Sequence, residues 1–339
     1  MLQAAADHYR DSQRLTVATL AAVRREWMSI GDDFDAGWSR VGPRIVALVT
    51  AGQVGAARNS TTYVATALAE QGIAAGAELE VVPQRFAGLA SSVDRLTYGS
   101  LDSLLFGAVV HARSGAAESI GDRLAVGRSF LDLAVHSQLA DASTFATSAS
   151  VAVRPRVRYV RLVNPPCCKR CAVLAGKPSG EVAFSRHPGC DCKAVPCGDD
   201  TDGLVADVGP EHIKDLTRAE RMAISDGADM NQVINASRQG AKSADGLWTS
   251  EGATKGSYAS RVRLEVARLK GAALKTHSVN VGQRGAVKSY TVPRLGPRPT
   301  PEAIYRYGGS REEIVRILHA QGYVTGDLSK VAAIGAGRP

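Results

Sequence analysis

All six cysteines of this chain fall within one 31-residue stretch, as Cys167, Cys168, Cys171, Cys190, Cys192 and Cys197. Six thiols packed so closely must pair as disulfides, bind a metal or be buried as small apolar groups, and each choice closes the loop between them differently. Their spacing favours metal. Cys168-x2-Cys171 puts two thiolates on one side of a tight bend, and fifteen residues later His187-Pro188-Gly189-Cys190-Asp191-Cys192 returns a second group from the far end of the loop. Zn²⁺ takes four such ligands at tetrahedral corners, with sulfur at about 2.3 Å. The favoured set is Cys168, Cys171 and His187, with Cys190 or Cys192 as the fourth ligand. Cys167 adjoins Cys168, so the two side chains diverge and one metal does not take both. Cys197 is the least suited of the six.

Disulfides and inert buried thiols are the alternatives. The opening MLQAAADHYRDSQR is polar and has no apolar segment of the signal-peptide kind. A cytoplasmic origin is therefore expected, where disulfides are uncommon. No run approaches the roughly 18 apolar residues of a membrane span, so no membrane partner is expected.

A catalytic zinc keeps an open coordination position and a general base nearby. The nearest histidines read His111-Ala-Arg, His136-Ser-Gln and His187-Pro-Gly, none in a His-x-Glu arrangement, and His-Glu-x-x-His is absent. Glu181 is the one glutamate inside the loop, and a lone loop glutamate is more often solvated. No Gly-x-Ser-x-Gly singles out a nucleophile. The zinc is read as structural and the chain as no enzyme. Lys169, Arg170, Arg186 and Lys193 stand near the ligands and can offset the negative charge of three thiolates and one imidazole around Zn²⁺.

The first 150 residues read as helical. Leu20, Val23, Trp27 and Ile30 recur at helical steps within a helix over 4–30, and further helices are expected over 35–52, 55–71, 100–113 and 116–142. With aromatics at 5% the core must be built mostly from Ala, Val and Leu, which suits closely packed helices. The Ser/Thr/Ala stretch over 142–150 reads as a boundary. Beyond it, 154–163 alternates basic with apolar residues as a half-buried strand does, with Arg161 out of phase and a bulge expected near Val160. Thr217-x-x-Glu220 and Ser310-x-x-Glu313 are capping boxes that start short helices. Further helices are expected over 230–238 and 261–274. The Gly/Ser-rich 241–257 reads as mobile or extended, 293–301 as a proline-rich linker and 330–339 as a frayed end. The fold class is mainly α, of α+β type. A helical domain over 1–150 precedes a small zinc-bound β/loop module over 151–210 and a basic region of short helices over 211–339.

Charge divides the chain the same way. Residues 1–150 hold 12 Arg, no Lys and 15 acidic residues, a balance of −3, whereas the rest holds 29 basic and 18 acidic residues, a balance of +11. A basic half suits nucleic acid or an acidic protein surface, or is simply a solvated basic surface.

Cys168-Lys169-Arg170-Cys171-Ala172-Val173-Leu174-Ala175-Gly176, followed by Arg186-His187-Pro188-Gly189-Cys190-Asp191-Cys192 and Pro196, resembles the Mu F-type minor head protein domain of tailed bacteriophages. The segments over 227–233 and 300–305 are similar to versions from phages of actinobacteria. The signature covers 156–197, and weaker similarity extends towards Tyr323. The doubled Cys167-Cys168 and the extra Cys197 depart from the pattern. The resemblance implies a minor capsid component in the virion, acting in head morphogenesis near the portal. Its implied partners are the portal or major capsid protein, and packaged double-stranded DNA. The alternatives are a free zinc-knuckle nucleic-acid-binding protein and a head-associated protease. Few rings interleave with the basic residues, Tyr159, Phe184, Trp248 and Tyr258 among them, which counts against single-strand recognition.

Overall fold

The computed structural model describes residues 2–74, 76–90, 99–114, 119–179, 190, 192–201, 203–204, 208–238, 240–253, 257–269, 276–280, 287–291 and 296–325. The chain divides into two compact units, one of residues 1–164 and 174–207, the other of residues 165–173 and 208–339. The fold is mainly helical, with an N-terminal helical region and a small sheet. Among the described residues no helix is long and apolar enough to cross a membrane.

Four helices dominate the first unit: α1 (Gln3–Met28), α2 (Phe34–Glu70), α3 (Leu101–Ser114) and α4 (Ile120–Ala152). The two helices expected over 35–52 and 55–71 are one continuous helix. Helical glycines at 52 and 55 cost about 1 kcal/mol each relative to alanine, yet a Cβ on Gly52 would stand 3.1–3.2 Å from Thr19 and Leu139. That glycine is a contact point for α1 and α4 and not a stop. The stretch over 142–150 is likewise no boundary, because α4 runs through it. Three of its hydroxyls find partners inside the bundle: Thr144 and Thr147 donate to Ala140 and Ser143 carbonyls, and Ser143 bonds Ser60 at 2.8 Å. Small side chains let neighbours approach closely, and most of this segment is buried.

Where α1 begins, no residue of its own caps it. The Glu70 carboxylate at the end of α2 accepts the Gln3 and Ala4 N–H groups at 2.7 and 2.8 Å, placing a negative charge at the helix N-terminus where the dipole favours it. Trp27, Ile45, Leu105 and Leu131 lie in the larger core of this unit. Trp27 donates its indole N–H to the Leu124 carbonyl at 3.0 Å. Its ring lies so near α4 that a Cβ on Gly127 would come within 2.4 Å of it.

A smaller core joins the ends of α1, α2 and α4 to a three-stranded antiparallel sheet. Central in that sheet is β1 (Arg158–Leu162), flanked by β2 (Pro178–Ser179) and β3 (Lys193–Cys197). Its register with β3 runs unbroken from Arg158↔Cys197 to Leu162↔Lys193, without the expected bulge. The strand starts at 158 because Arg156 has a left-handed backbone, φ 62°, which interrupts extended chain. The alternation read from the sequence does not hold: Tyr159, Val160, Arg161 and Leu162 are all buried, as suits a central strand covered on both faces.

The second unit is a patchwork of short elements: α6 (Arg218–Ser225), α7 (Met230–Ala236), α8 (Tyr258–Leu269), α9 (Pro301–Tyr307) and α10 (Arg311–Ala320), with strands β4 (Trp248–Thr249), β5 (Thr276–Asn280), β6 (Val287–Thr291) and β7 (Arg298–Pro299). Both expected capping boxes are present, at Thr217/Glu220 and Ser310/Glu313. Strands β5 and β6, absent from the sequence reading, pair antiparallel. The supposed linker is not one over its described part. Thr249 pairs with Arg298 across β4 and β7, and Arg298 is 1% exposed. Its guanidinium lies 4.0 Å from the Tyr323 ring centroid and donates to the Gln321 carbonyl at 2.9 Å and to Gln232. Residues 330–339 lie outside the described residues.

Candidate metal centre

Cys171 is carried by α5 (Lys169–Leu174), a helix of six residues. So short a helix has almost no stability of its own, and its start is tied down by side chains and backbone from further along the chain. Cys167 donates its N–H to the His212 carbonyl at 2.9 Å and accepts the Lys214 N–H at 3.0 Å. The Asp215 carboxylate accepts the Lys169 N–H at 2.9 Å, satisfying a donor that the helix leaves open. The Lys169 ammonium lies 2.7 Å from Glu220.

Glu220 is fully enclosed. Burial pushes its pKa up, but hydrogen bonds from Lys169, Ser237 and the Thr217 N–H, with the charge of Lys169, outweigh it and hold the carboxyl below its ordinary value. The capping box identified this residue in the sequence. Its second task, holding Lys169, had no sequence signal, because the two positions are 51 residues apart.

Cys190 and Cys192 lead into β3. That strand is held on one edge by β1 and elsewhere by α2: the Tyr63 hydroxyl donates to the Ala194 carbonyl at 3.1 Å and the Gln71 amide to the Pro196 carbonyl at 2.9 Å. The approach to β3 is thereby fixed to the packed core.

The sulfurs of Cys171, Cys190 and Cys192 all lie within 4.8 Å of one another, and all three residues are buried. Around a tetrahedral Zn²⁺ with bonds of about 2.3 Å, sulfurs stand about 3.8 Å apart, so the group is compact enough to close on one ion. Three buried soft donors suit a thiophilic metal such as zinc and not a hard oxygen-seeking cation. No carboxylate or histidine among the described residues joins the three sulfurs. No disulfide joins any of the six cysteines in this structure.

The other candidates are placed as follows. Cys168 is part-exposed and is not among the three converging thiols. His187 lies outside the described residues, as do Arg186, Glu181 and Phe184. Cys190 and Cys192, which the sequence offered as alternatives, are both in the group. Cys167 is buried, with its backbone spent on the residues around Ile213. Cys197 belongs to the smaller apolar core beside Tyr63 and Val160. Burial pushes its thiol up to about 11, with Arg158 opposing and Asp199 adding to the shift, so it stays protonated.

Of the basic residues near the cysteines in sequence, Lys169 is engaged by Glu220, Arg170 is exposed and Lys193 is buried. Arg161, read from the sequence only as a break in alternation, is buried opposite Ala194 in the strand pair that leads from Cys192. No protein-family model, no curated protein and no solved structure matches this chain.

Proposed function

We propose that this chain is a non-catalytic minor capsid protein of a tailed phage, of the Mu F-like type, in which the thiol group holds one Zn²⁺ as a structural clamp. The observation that carries the reading is the convergence of Cys171, Cys190 and Cys192, because these positions belong to the two halves of the motif that resembles the phage family. A fourth ligand from His187 or Cys168 would close the site. Zinc bound this way contributes folding free energy directly and pins a loop beside a sheet whose outer strand β2 has only two residues. On this reading the acidic helical half docks on portal or capsid protein, and the basic half, with its balance of +11, faces packaged DNA.

Purified protein then contains about one Zn²⁺ per chain. Cys171→Ser loses the metal and Cys197→Ser keeps it; elemental analysis finding no zinc in fresh, reduced protein rejects the clamp. The functional test is mass spectrometry of purified particles. The protein is expected there in few copies, and its loss is expected to spoil head assembly or infectivity. Absence from mature particles and from assembly intermediates that contain the major capsid protein rejects the virion reading.

The charge balance also favours a second reading, a free nucleic-acid-binding protein. Tight DNA binding that falls steeply with salt, together with absence from particles, selects it.

A further inference from the structure

Cys171 stands two residues beyond a lysine whose ammonium reaches a fully enclosed carboxylate. Glu220 serves two partners at once. It closes the capping box by accepting the Thr217 N–H at 2.7 Å, and it receives the Lys169 ammonium, with the Ser237 hydroxyl as a further donor. A capping box works with glutamine as well as glutamate, so the cap alone does not call for a charge. Lys169 does. The pair is also unlike the chain's surface ion pairs. Arg14–Asp11 joins two well-exposed side chains, whereas Lys169 is 19% exposed and Glu220 0%. Exposed pairs contribute little, but a sheltered charge that loses its partner strains whatever holds it.

We propose that the Glu220–Lys169 ion pair is a positioning device for the thiol group, fixing the start of α5 so that the Cys171 sulfur is held ready for metal. This rests on the metal reading above. Three tethers act at two positions, Cys167 and Lys169: the backbone of Cys167 on residues 212–214, the Lys169 N–H on Asp215, and the Lys169 side chain on Glu220. The first two fix where the chain enters the helix. Only the third reaches from the helix's own side chains to another element, α6, and so constrains how α5 is turned. Without it, metal binding must itself order the helix, and affinity falls.

The test uses the full chain and Zn²⁺ titrated against a chromophoric chelator. Glu220→Gln keeps the cap and removes the charge, Lys169→Met removes the ammonium and keeps the stem, and Lys169→Arg restores a cation. Each of the first two is expected to weaken Zn²⁺ binding by about tenfold, the lower end of what metal-supporting partners contribute. The double variant is expected to bind no worse than either single one, and Lys169→Arg to recover most of the loss. In metal-free protein, amide hydrogen exchange over 169–172 is expected to quicken in the two single variants while the rest of the chain keeps its protection.

Wild-type affinity in both single variants, or losses that simply add in the double, overturns the proposal. Wild-type protein that takes up no Zn²⁺ defeats the metal reading instead. The exchange arm then decides alone: faster exchange over 169–172 upholds the positioning role, and unchanged exchange rejects it.

Discussion

The two units solve the same problem, keeping helices in place, by different means. In the first, α1, α2 and α4 have 26, 37 and 33 residues, and an apolar core of their side chains does most of the work. Caps are present there too, from Asp33 on α2 and Ser119 on α4, but they add to helices the core already holds, and α1 borrows its cap from Glu70. In the second, no described helix exceeds 12 residues. α6, α7, α9 and α10 each start on a side-chain cap from Thr217, Asp229, Thr300 and Ser310, and single polar groups such as Arg298, Glu220 and Asp226 join elements distant in sequence. Asp226 accepts from both the Tyr305 hydroxyl, at 2.7 Å, and Arg311, at 2.8 Å. Long helices gain from every turn that faces the core, whereas short ones depend on their ends.

The sharpest way to break this contrast is Trp27→Ala. It opens a cavity in the larger core and removes the indole hydrogen bond to the Leu124 carbonyl, and denaturant unfolding is expected to register a loss of about 3–5 kcal/mol. A smaller loss would mean that packing is not what holds the first unit. Arg298→Met is the counterpart in the second unit. It strands the Gln321 and Gln232 acceptors and removes the cation over Tyr323, for about 2–3 kcal/mol. If unfolding is unaffected, the buried guanidinium is dispensable and the polar account of that unit fails.

Acid probes a buried, stacked imidazole of the first unit. His8 lies against Tyr63 with ring centroids 4.2 Å apart, and burial, reinforced by the charge of Lys193, lowers its pKa to about 3. A group whose folded pKa is depressed gives stability that is complete above its unfolded value, near 6.5, and is lost as pH falls towards the folded one. The loss at pH 5 is about 2 kcal/mol relative to neutral pH. His8→Phe should flatten that part of the stability–pH curve; an unchanged slope would show the imidazole to be accessible to protons when folded. The smallest effect belongs to the caps. Ser310→Ala should cost about 1 kcal/mol, while Ser119→Ala, which caps the 33-residue α4, should cost less because the rest of that helix is held by the core.

Much of the fold was legible wherever a local rule applied. The stripe Leu20, Val23, Trp27, Ile30 gave α1, and the two capping boxes gave α6 and α10. The rule failed where a residue type has two uses. Gly52 reads as the end of a helix but serves as a close contact, and the serines and threonines over 142–150 read as a boundary but fill the space where helices crowd. Arg161 reads as a break in alternation and Arg298 as part of a linker, and both are buried. At the candidate metal centre, the clustering of the cysteines was plain, since it is a matter of spacing along the chain. Which of them converge was not, because that depends on how α5 and β3 are held.

By itself the sequence determined that the first half is helical, that short capped helices follow, and that the thiols are gathered in one short stretch. These are properties of neighbours along the chain, set by periodicity, capping chemistry and spacing. Tertiary structure decided the rest: that α2 and α4 run on unbroken, that β1 is covered on both faces, that Cys171, Cys190 and Cys192 meet, and that Lys169 finds Glu220 51 residues away. Each of these turns on burial and on partners remote in sequence, and the energy of a buried charge or a helical glycine depends on the neighbour it meets and not on the residues beside it.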